Sequence, residues 1–112
     1  MTFAEISVRE FADYLARVET PPQLIDVREP DEAAIARLEG FELYPLSQYR
    51  DWSEPILRAL DPHAETFVLC HHGMRSAQMC QWLLQQGFTR VRNITGGIDA
   101  YACWVDSSIP RY

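Results

Sequence analysis

Short apolar segments alternate with segments of helical periodicity along the chain, and this alternation restricts the fold more than any other feature of the sequence. The clearest apolar segments are residues 23–27, interrupted by Asp26, and residues 66–69. Continuous apolar strands are typical of sheets that are covered on both faces. The sequence therefore predicts an α/β fold with an open parallel sheet and helices on both sides. The 112 residues suit one domain, predicted to span residues 1–112.

Capping and turn residues predict the elements of the first third of the chain. Ser7 and Glu10 form a capping-box pattern at the start of a helix, and residues 4–6 before it are expected to form an edge strand. Pro30 is favourable in the first turn of a helix, and Gly40 is typical of the residue after a helix end. A second helix is therefore predicted between them, over residues 30–38.

The central and C-terminal segments continue the alternation. Residues 41–46 predict a strand, Ser47 is expected to cap the following helical segment, and Pro55 is expected to divide that segment in two. The remaining elements are predicted as a strand over residues 66–69, a helix over 76–86, a strand over 90–94 and a helix over 98–104.

A cysteine loop joins the apolar strand of residues 66–69 to the helix that follows, and its sequence is Cys70-His71-His72-Gly73-Met74-Arg75-Ser76. Backbone N–H groups at a helix N-terminus have no intrahelical partners, so such a loop favours an anion, including a thiolate. A helix N-terminus and a nearby arginine also lower the pKa of a cysteine. Gly73 permits a positive φ within the loop, and Arg75 supplies several donors. The pattern predicts a reactive cysteine.

Three segments of the chain resemble the single-domain rhodanese family of rhodanese-like sulfurtransferases. The cysteine loop resembles the active-site loop of that family, with the pattern Cys-x-x-Gly-x-Arg-Ser. Residues 24–29, Leu-Ile-Asp-Val-Arg-Glu, resemble its first signature, and residues 94–98, Ile-Thr-Gly-Gly-Ile, resemble the segment after its last strand. The three segments occur in family order and spacing, so the resemblance covers nearly the whole chain.

The resemblance implies a rhodanese-like fold and a sulfur-transfer reaction without a cofactor. Cys70 is implied to take the sulfane sulfur of a donor such as thiosulfate or a persulfide and to pass it, from a Cys70 persulfide, to a thiol or cyanide. The loop residues implied to bind the substrate are His71, His72, Gly73, Met74, Arg75 and Ser76. The residues implied to support the loop are Asp26, Arg28, Gly96 and Gly97.

Individual residues of the implied site have more than one possible role. Arg75 can attract an anionic donor, or it can pair with an acid beneath the loop, and both roles stay open. His71 and His72 stand where tandem-domain thiosulfate enzymes of the family often carry basic residues. Because histidine is mostly neutral at pH 7, thiosulfate is expected to be a poor donor, which favours a protein or small-molecule persulfide. Asp26 and Arg28 are expected to form a buried ion pair.

Other functions are weighed against sulfur transfer. The loops of phosphatases and arsenate reductases on the same fold resemble the pattern Cys-x5-Arg, whereas the loop of this chain has four residues between Cys70 and Arg75. A non-catalytic rhodanese-like binding module typically lacks the cysteine. A metal site of Cys70 with His71 and His72 is not expected, because adjacent residues rarely point at one ion. A buried core cysteine would not explain the Gly and Arg that follow it.

Composition restricts the partners and the compartment. The net charge of −6 and the pI of about 4.9 argue against nucleic acid as a partner. No apolar run reaches the ~18 residues of a membrane span, and residues 1–5 do not resemble the start of a signal peptide. Three widely spaced cysteines are typical of free thiols in a reducing compartment, so the cytoplasm is predicted.

Three further side chains lie outside the implied site. Cys80 shares a helix face with leucines and is expected in the core. Cys103 is weighed as a resolving thiol, although no second cysteine lies near it in sequence. Trp82 is expected to be half-buried, with contact to a partner as the alternative.

Overall fold

A computed structural model describes residues 3–112 of the chain as five parallel strands with helices between them. Met1 and Thr2, on which the prediction about a signal peptide partly rests, lie outside the described residues. The sheet order is β1-β5-β4-β2-β3, and every paired neighbour is parallel. The strands are β1 Ala4–Ile6, β2 Gln23–Asp26, β3 Glu42–Leu43, β4 Thr66–Leu69 and β5 Val91–Ile94. The predicted parallel α/β fold is confirmed.

Within residues 3–112, six helices and a short 3-10 turn lie between or after the strands. The helices are α1 Val8–Arg17, α2 Pro30–Ile35, α3 Tyr49–Trp52, α4 Pro55–Ala59, α5 Met74–Gln85 and α6 Gly97–Trp104, and the 3-10 turn is Leu46–Gln48. The capping box of α1 is present, with the Glu10 N–H donating to Ser7 Oγ at 3.1 Å and the Ser7 N–H donating to Glu10 Oε1 at 3.3 Å. Pro55 begins α4, so the predicted division of this segment is confirmed.

Two apolar cores lie on the two sides of the sheet, and β4 contributes to both. Phe67 and Leu69 belong to one core and Val68 and Cys70 to the other, because successive strand residues point to opposite faces. The core that contains Val68 also holds Trp52, Ile56, Met79, Cys80 and Leu83 of α3, α4 and α5. The core that contains Phe67 also holds Val8, Phe11 and Ile98 of α1 and α6. Burial on both sides explains why Phe67, Val68 and Leu69 of β4 are all apolar.

Several predicted element boundaries are wrong, and each has a local cause. The strand predicted over residues 41–46 is only Glu42–Leu43, because Pro45 has no N–H to donate and the 3-10 turn begins directly after it. The second helix ends at Ile35, and the extended chain after it places Leu38 in the core. Ser47 does not cap a helix, because its hydroxyl donates to the Glu29 carboxylate instead.

The helix after the cysteine loop begins at Met74, two residues earlier than predicted. Gly73 has φ of +104°, a left-handed conformation that ends the loop and that glycine adopts at little cost. Three of the residues predicted to form the substrate-binding loop therefore lie in the first turn of α5, namely Met74, Arg75 and Ser76. The irregular loop is Cys70 to Gly73 alone.

Candidate active site

The parallel order places the ends of three strands at one edge of the sheet. β2, β4 and β5 are neighbours in the sheet, and Asp26 pairs in register with Leu69. Ligands of open parallel sheets bind outside the carboxyl ends of the strands. The residues that follow these strands include Arg28, Cys70 and Gly96, so the three segments singled out in the sequence lie at the same edge.

The sulfur of Cys70 lies inside the loop and contacts two polar groups. The Gly73 N–H donates to Cys70 Sγ at 3.0 Å, and Ser76 Oγ lies 3.2 Å from the same sulfur. The residue is 1% exposed, so the bulk of the side chain is enclosed by the loop and the core. The sulfur therefore has a backbone donor and a hydroxyl as neighbours, at the N-terminal end of α5.

The first turn of α6 supports the loop from beneath. The N–H groups of Ile98 and Asp99 donate to the carbonyl oxygens of Cys70 and His71 at 2.9 and 3.1 Å. Gly97 has φ of +60°, and a Cβ at this position would overlap both of those carbonyl oxygens. A residue with a side chain at Gly97 would therefore force the loop away from α6.

Asn93 connects two residues of the cysteine loop, and the sequence analysis did not identify it. Its Nδ2 donates to the Gly73 carbonyl at 3.1 Å, and its Oδ1 accepts a hydrogen bond from Ser76 Oγ at 2.5 Å. Asn93 lies on β5 and is 3% exposed. The sequence signal that could have identified it is an amide side chain in a short strand of a sheet covered on both faces, because such a side chain needs a partner when buried.

Asp26 and Arg28 form the predicted ion pair. Arg28 Nε lies 3.0 Å from Asp26 Oδ1, and Arg28 Nη2 lies 2.8 Å from Asp26 Oδ2. The Arg28 side chain is fully buried and the Asp26 side chain is 4% exposed. Burial by itself would lower the pKa of Arg28, but the hydrogen bonds with Asp26 and Tyr112 outweigh it and raise the pKa. The guanidinium is therefore charged, and the pair supports the end of β2.

Arg75 pairs with Glu32 of α2, which the sequence analysis did not identify. The Arg75 guanidinium donates to both oxygens of the Glu32 carboxylate, at 2.7 and 2.8 Å. These hydrogen bonds lower the pKa of Glu32 to about 2 and raise the pKa of Arg75 above its ordinary value. Of the two roles left open for Arg75, the geometry corresponds to pairing with an acid. Neither the spacing of 43 residues nor the periodicity of α2 indicated this pair.

Tyr112 joins the two ion pairs and covers one loop residue. Its hydroxyl accepts from Arg28 Nη1 at 2.9 Å and donates to Glu32 Oε1 at 3.0 Å. Its ring stacks on the His71 imidazole, with centroids 3.9 Å apart and planes 7° from parallel. Burial, followed by the neighbouring His72, lowers the pKa of His71, so this imidazole is neutral near pH 7. The loop therefore carries no permanent charge at His71.

His72 and Met74 lie on the outside of the loop. The His72 side chain is 62% exposed, with Nε2 3.9 Å from Asp99 Oδ2, and Met74 is 77% exposed. Possible metal-ligand atoms of His71, His72 and Asp99 lie within 4.8 Å of one another, and Cys70 is not in this group. The Asp99 carboxylate accepts a hydrogen bond from Arg111 Nε at 2.9 Å, so it is already paired with the Arg111 guanidinium.

A surface pocket of about 210 Å³ lies beside the loop. It is lined by Glu5, His72, Gly73, Met74, Asn93, Thr95 and Gly96. This pocket contains both the Gly73 that donates to the sulfur and the Asn93 that holds Gly73. The pocket is therefore bordered by two residues that surround the Cys70 sulfur, and Cys70 itself is not among its lining residues.

The other three predicted side chains are not part of the cysteine loop. Cys80 is fully buried in the core, as predicted, and burial raises the pKa of its thiol to about 12. Cys103 is exposed, and its role as a resolving thiol stays a prediction. Trp82 is half-buried, as predicted: its ring lies edge-to-face against Trp52, and its Nε1 donates to the Tyr49 hydroxyl at 3.1 Å.

The fold and the site together define a class of protein. It is a parallel α/β domain that presents a cysteine at the end of a central strand, with a backbone N–H on its sulfur and a helix that begins four residues later. The sequence matches the model of the rhodanese-like domain family over residues 8–102. The chain belongs to the rhodanese-like domain family.

Two relatives agree with this assignment, and one solved structure has the same fold. Rhodanese-like/PpiC domain-containing protein 12, chloroplastic, from Arabidopsis thaliana is 56% identical over 90 residues, which are 80% of this chain and 30% of that protein. Adenylyltransferase and sulfurtransferase UBA4 from Debaryomyces hansenii is 30% identical over 96% of this chain and 25% of that protein. A rhodanese-like domain protein from Staphylococcus aureus superposes with a TM-score of 0.78 at 24% identity, covering 98% of this chain and 99% of that structure.

The chain spans less than a third of the length of the two curated relatives. One domain over residues 1–112 therefore stays a prediction about this stretch of sequence. Within residues 3–112, no helix combines the length and the apolar character needed to cross a membrane.

Proposed function

We propose that this protein is a sulfurtransferase that carries a sulfane sulfur as a persulfide on Cys70. The observation that carries the proposal is the contact between Cys70 Sγ and the Gly73 N–H at 3.0 Å, at the N-terminal end of α5. A backbone donor and a helix N-terminus stabilise negative charge on sulfur. The name of the Debaryomyces relative, which includes a sulfurtransferase, supports the same reaction class.

The reaction proceeds by two displacements. The Cys70 thiolate attacks the outer sulfur of thiosulfate or of a persulfide, and the bond from that sulfur to its former carrier breaks, with the electron pair leaving on sulfite or on a thiolate. The product is a Cys70 persulfide. An acceptor nucleophile, cyanide or a thiol, then attacks the outer sulfur, and the electron pair of the S–S bond returns to the Cys70 thiolate. Covalent catalysis divides one difficult transfer into two easier ones.

The charge of the site favours a persulfide as the donor over thiosulfate. Arg28 is paired with Asp26, Arg75 with Glu32, and Arg111 with Asp99. The lowered pKa of His71 leaves that imidazole neutral near pH 7. A dianion such as thiosulfate would therefore meet guanidinium groups whose charge is already balanced. We propose a small-molecule or protein persulfide as the donor, with a thiol as the acceptor in the cell and slow transfer from thiosulfate.

Two features argue against the alternatives weighed from the sequence. A phosphatase or arsenate reductase needs donors for the equatorial oxygens of a tetrahedral anion, and the Arg75 guanidinium is committed to the Glu32 carboxylate. A non-catalytic binding module would not need Cys70, whose sulfur is held by a specific loop donor here. Neither nucleic acid nor a membrane is part of the proposal.

The compartment is part of the proposal as well. Free cysteines at positions 70, 80 and 103 agree with a reducing environment, for which the cytoplasm is our proposal. The name of the Arabidopsis relative assigns that protein to the chloroplast. The distribution of the tagged full-length protein among the compartments of the cell would decide whether this protein lies in the cytoplasm.

Mass spectrometry of the intact protein tests the proposed reaction. After incubation with thiosulfate or with glutathione persulfide, the protein should gain the mass of one sulfur atom, and dithiothreitol should remove it. Cys70→Ser should abolish the adduct, whereas the matched variant Cys103→Ser, which removes an exposed thiol, should retain it. The persulfide donor should load the protein faster than thiosulfate does. A sulfur adduct on Cys70→Ser would contradict the proposal.

A further inference from the structure

Asn93 contacts both of the groups that contact the sulfur of Cys70. Its Nδ2 donates to the Gly73 carbonyl at 3.1 Å, and the N–H of the same Gly73 donates to the sulfur at 3.0 Å. Its Oδ1 lies 2.5 Å from Ser76 Oγ, and that oxygen lies 3.2 Å from the sulfur. Asn93 is 3% exposed, so its amide keeps these protein partners. The Asn93 amide is therefore connected to the sulfur through two hydrogen-bonded neighbours, Gly73 and Ser76.

The Gly73 carbonyl determines which way the Asn93 amide points. A carbonyl oxygen only accepts hydrogen bonds, so the amide atom that faces Gly73 must be the NH2 group. The atom that faces Ser76 is then Oδ1, which also only accepts. The short hydrogen bond to Oδ1 therefore uses the single hydroxyl proton of Ser76. Toward Cys70 the hydroxyl presents lone pairs, and the proton between sulfur and oxygen belongs to the thiol.

We infer that Asn93 is a positioning residue that makes Ser76 a hydrogen-bond acceptor toward the Cys70 thiol and holds Gly73 as the donor to its sulfur. This deepens the proposed function and rests on it for the role of Cys70 as the nucleophile. Ser76 then stabilises the neutral thiol, while the Gly73 N–H stabilises the thiolate. If Ser76 turned its proton to the thiolate, the buried Asn93 Oδ1 would be left without a donor.

Charged and titratable groups also lie on the elements around the loop. They are Glu5 on β1, Asp26 at the end of β2, Arg28 after β2, Glu32 on α2, His71 and His72 in the loop, Arg75 and Cys80 on α5, Arg92 on β5, Asp99 on α6, and Arg111 and Tyr112 in the C-terminal segment. Among residues 3–112, the hydrogen bonds of Asn93 and Ser76 side chains join them to each other, to Gly73 and to Cys70, and to none of these groups. Neutral substitutions at the two positions therefore leave the surrounding charges in place.

The pH dependence of alkylation measures the inferred hydrogen-bond direction. Iodoacetamide reacts with the thiolate, so the pH at half-maximal rate reports how readily Cys70 ionises. The background is Cys103→Ser, which leaves Cys70 and the buried Cys80, and the pKa of Cys80 is raised to about 12. Four proteins are compared, namely Cys103→Ser itself and Cys103→Ser with Ser76→Ala, with Asn93→Leu, or with both. These four proteins form a thermodynamic cycle.

The inference predicts opposite effects of Ser76→Ala with and without Asn93. With Asn93 present, Ser76→Ala should leave the alkylation midpoint unchanged or lower it, because it removes an acceptor of the thiol proton. With Asn93→Leu, the freed hydroxyl can donate to the thiolate, so adding Ser76→Ala should raise the midpoint by about one pH unit. A rise of that size from Ser76→Ala in the presence of Asn93 would overturn the inference.

Two further comparisons keep the test decisive. If Asn93→Leu does not fold, Asn93→Ala replaces it, and the sign of the Ser76→Ala effect in the unsubstituted background supports or overturns the inference by itself. Alkylation requires no sulfur transfer, so it is independent of the persulfide experiment. The expected midpoints in a protein that never forms a persulfide would support the hydrogen-bond direction and overturn the proposed function.

Discussion

Replacing Glu32 by glutamine should destabilise the fold in a way that disappears at low pH. The Arg75 hydrogen bonds lower the pKa of Glu32 from 4.5 to about 2. At about 1.4 kcal/mol per pH unit, this difference corresponds to at most about 3.5 kcal/mol of unfolding free energy. The Arg75 side chain is 34% exposed, so solvent screens the pair and we expect Glu32→Gln to cost about 1–2 kcal/mol at pH 7.

The direction of the pKa shift determines the pH dependence of that loss. Folding lowers the pKa of Glu32, so its stabilisation is complete above about pH 4.5 and is lost as the pH falls toward 2. The difference between the natural chain and Glu32→Gln should therefore shrink at pH 3 to less than half of its value at pH 7. Urea unfolding at both pH values measures it, with the exposed Glu39→Gln as the control for removing a charge. A difference as large at pH 3 as at pH 7 would refute the reasoning.

Two further substitutions test the packing around the site. Gly97→Ala should cost more unfolding free energy than Gly87→Ala and should also prevent persulfide formation. Both glycines have positive φ, but only a Cβ at Gly97 overlaps the loop carbonyls. Equal costs of the two substitutions in urea unfolding would contradict the role of the close approach at Gly97. Asp26→Asn should cost about 3–5 kcal/mol in the same assay, because it leaves the buried Arg28 guanidinium without its charged partner, and a cost below about 1 kcal/mol would show that the pair contributes little.

The sequence predicted the parts of the site that depend on the local chain. The apolar residues of β4 indicated a strand buried on both faces, and Gly73 indicated a turn before a helix. Cys70 therefore could be assigned to a strand end beside a helix N-terminus from residues that are adjacent in sequence. The start of α5 was predicted two residues late, because the periodicity of a helix identifies its buried face more reliably than its first turn.

The tertiary structure alone decided which side chains contact the loop residues. Ser76 and Asn93 are 17 positions apart, Glu32 and Arg75 are 43 apart, and Arg28 and Tyr112 are 84 apart. Hydrophobic periodicity specifies which residues are buried, but it carries no information about which polar group meets which. That depends on the order of the parallel strands and on where the helices pack, which bring the ends of distant segments to one edge of the sheet.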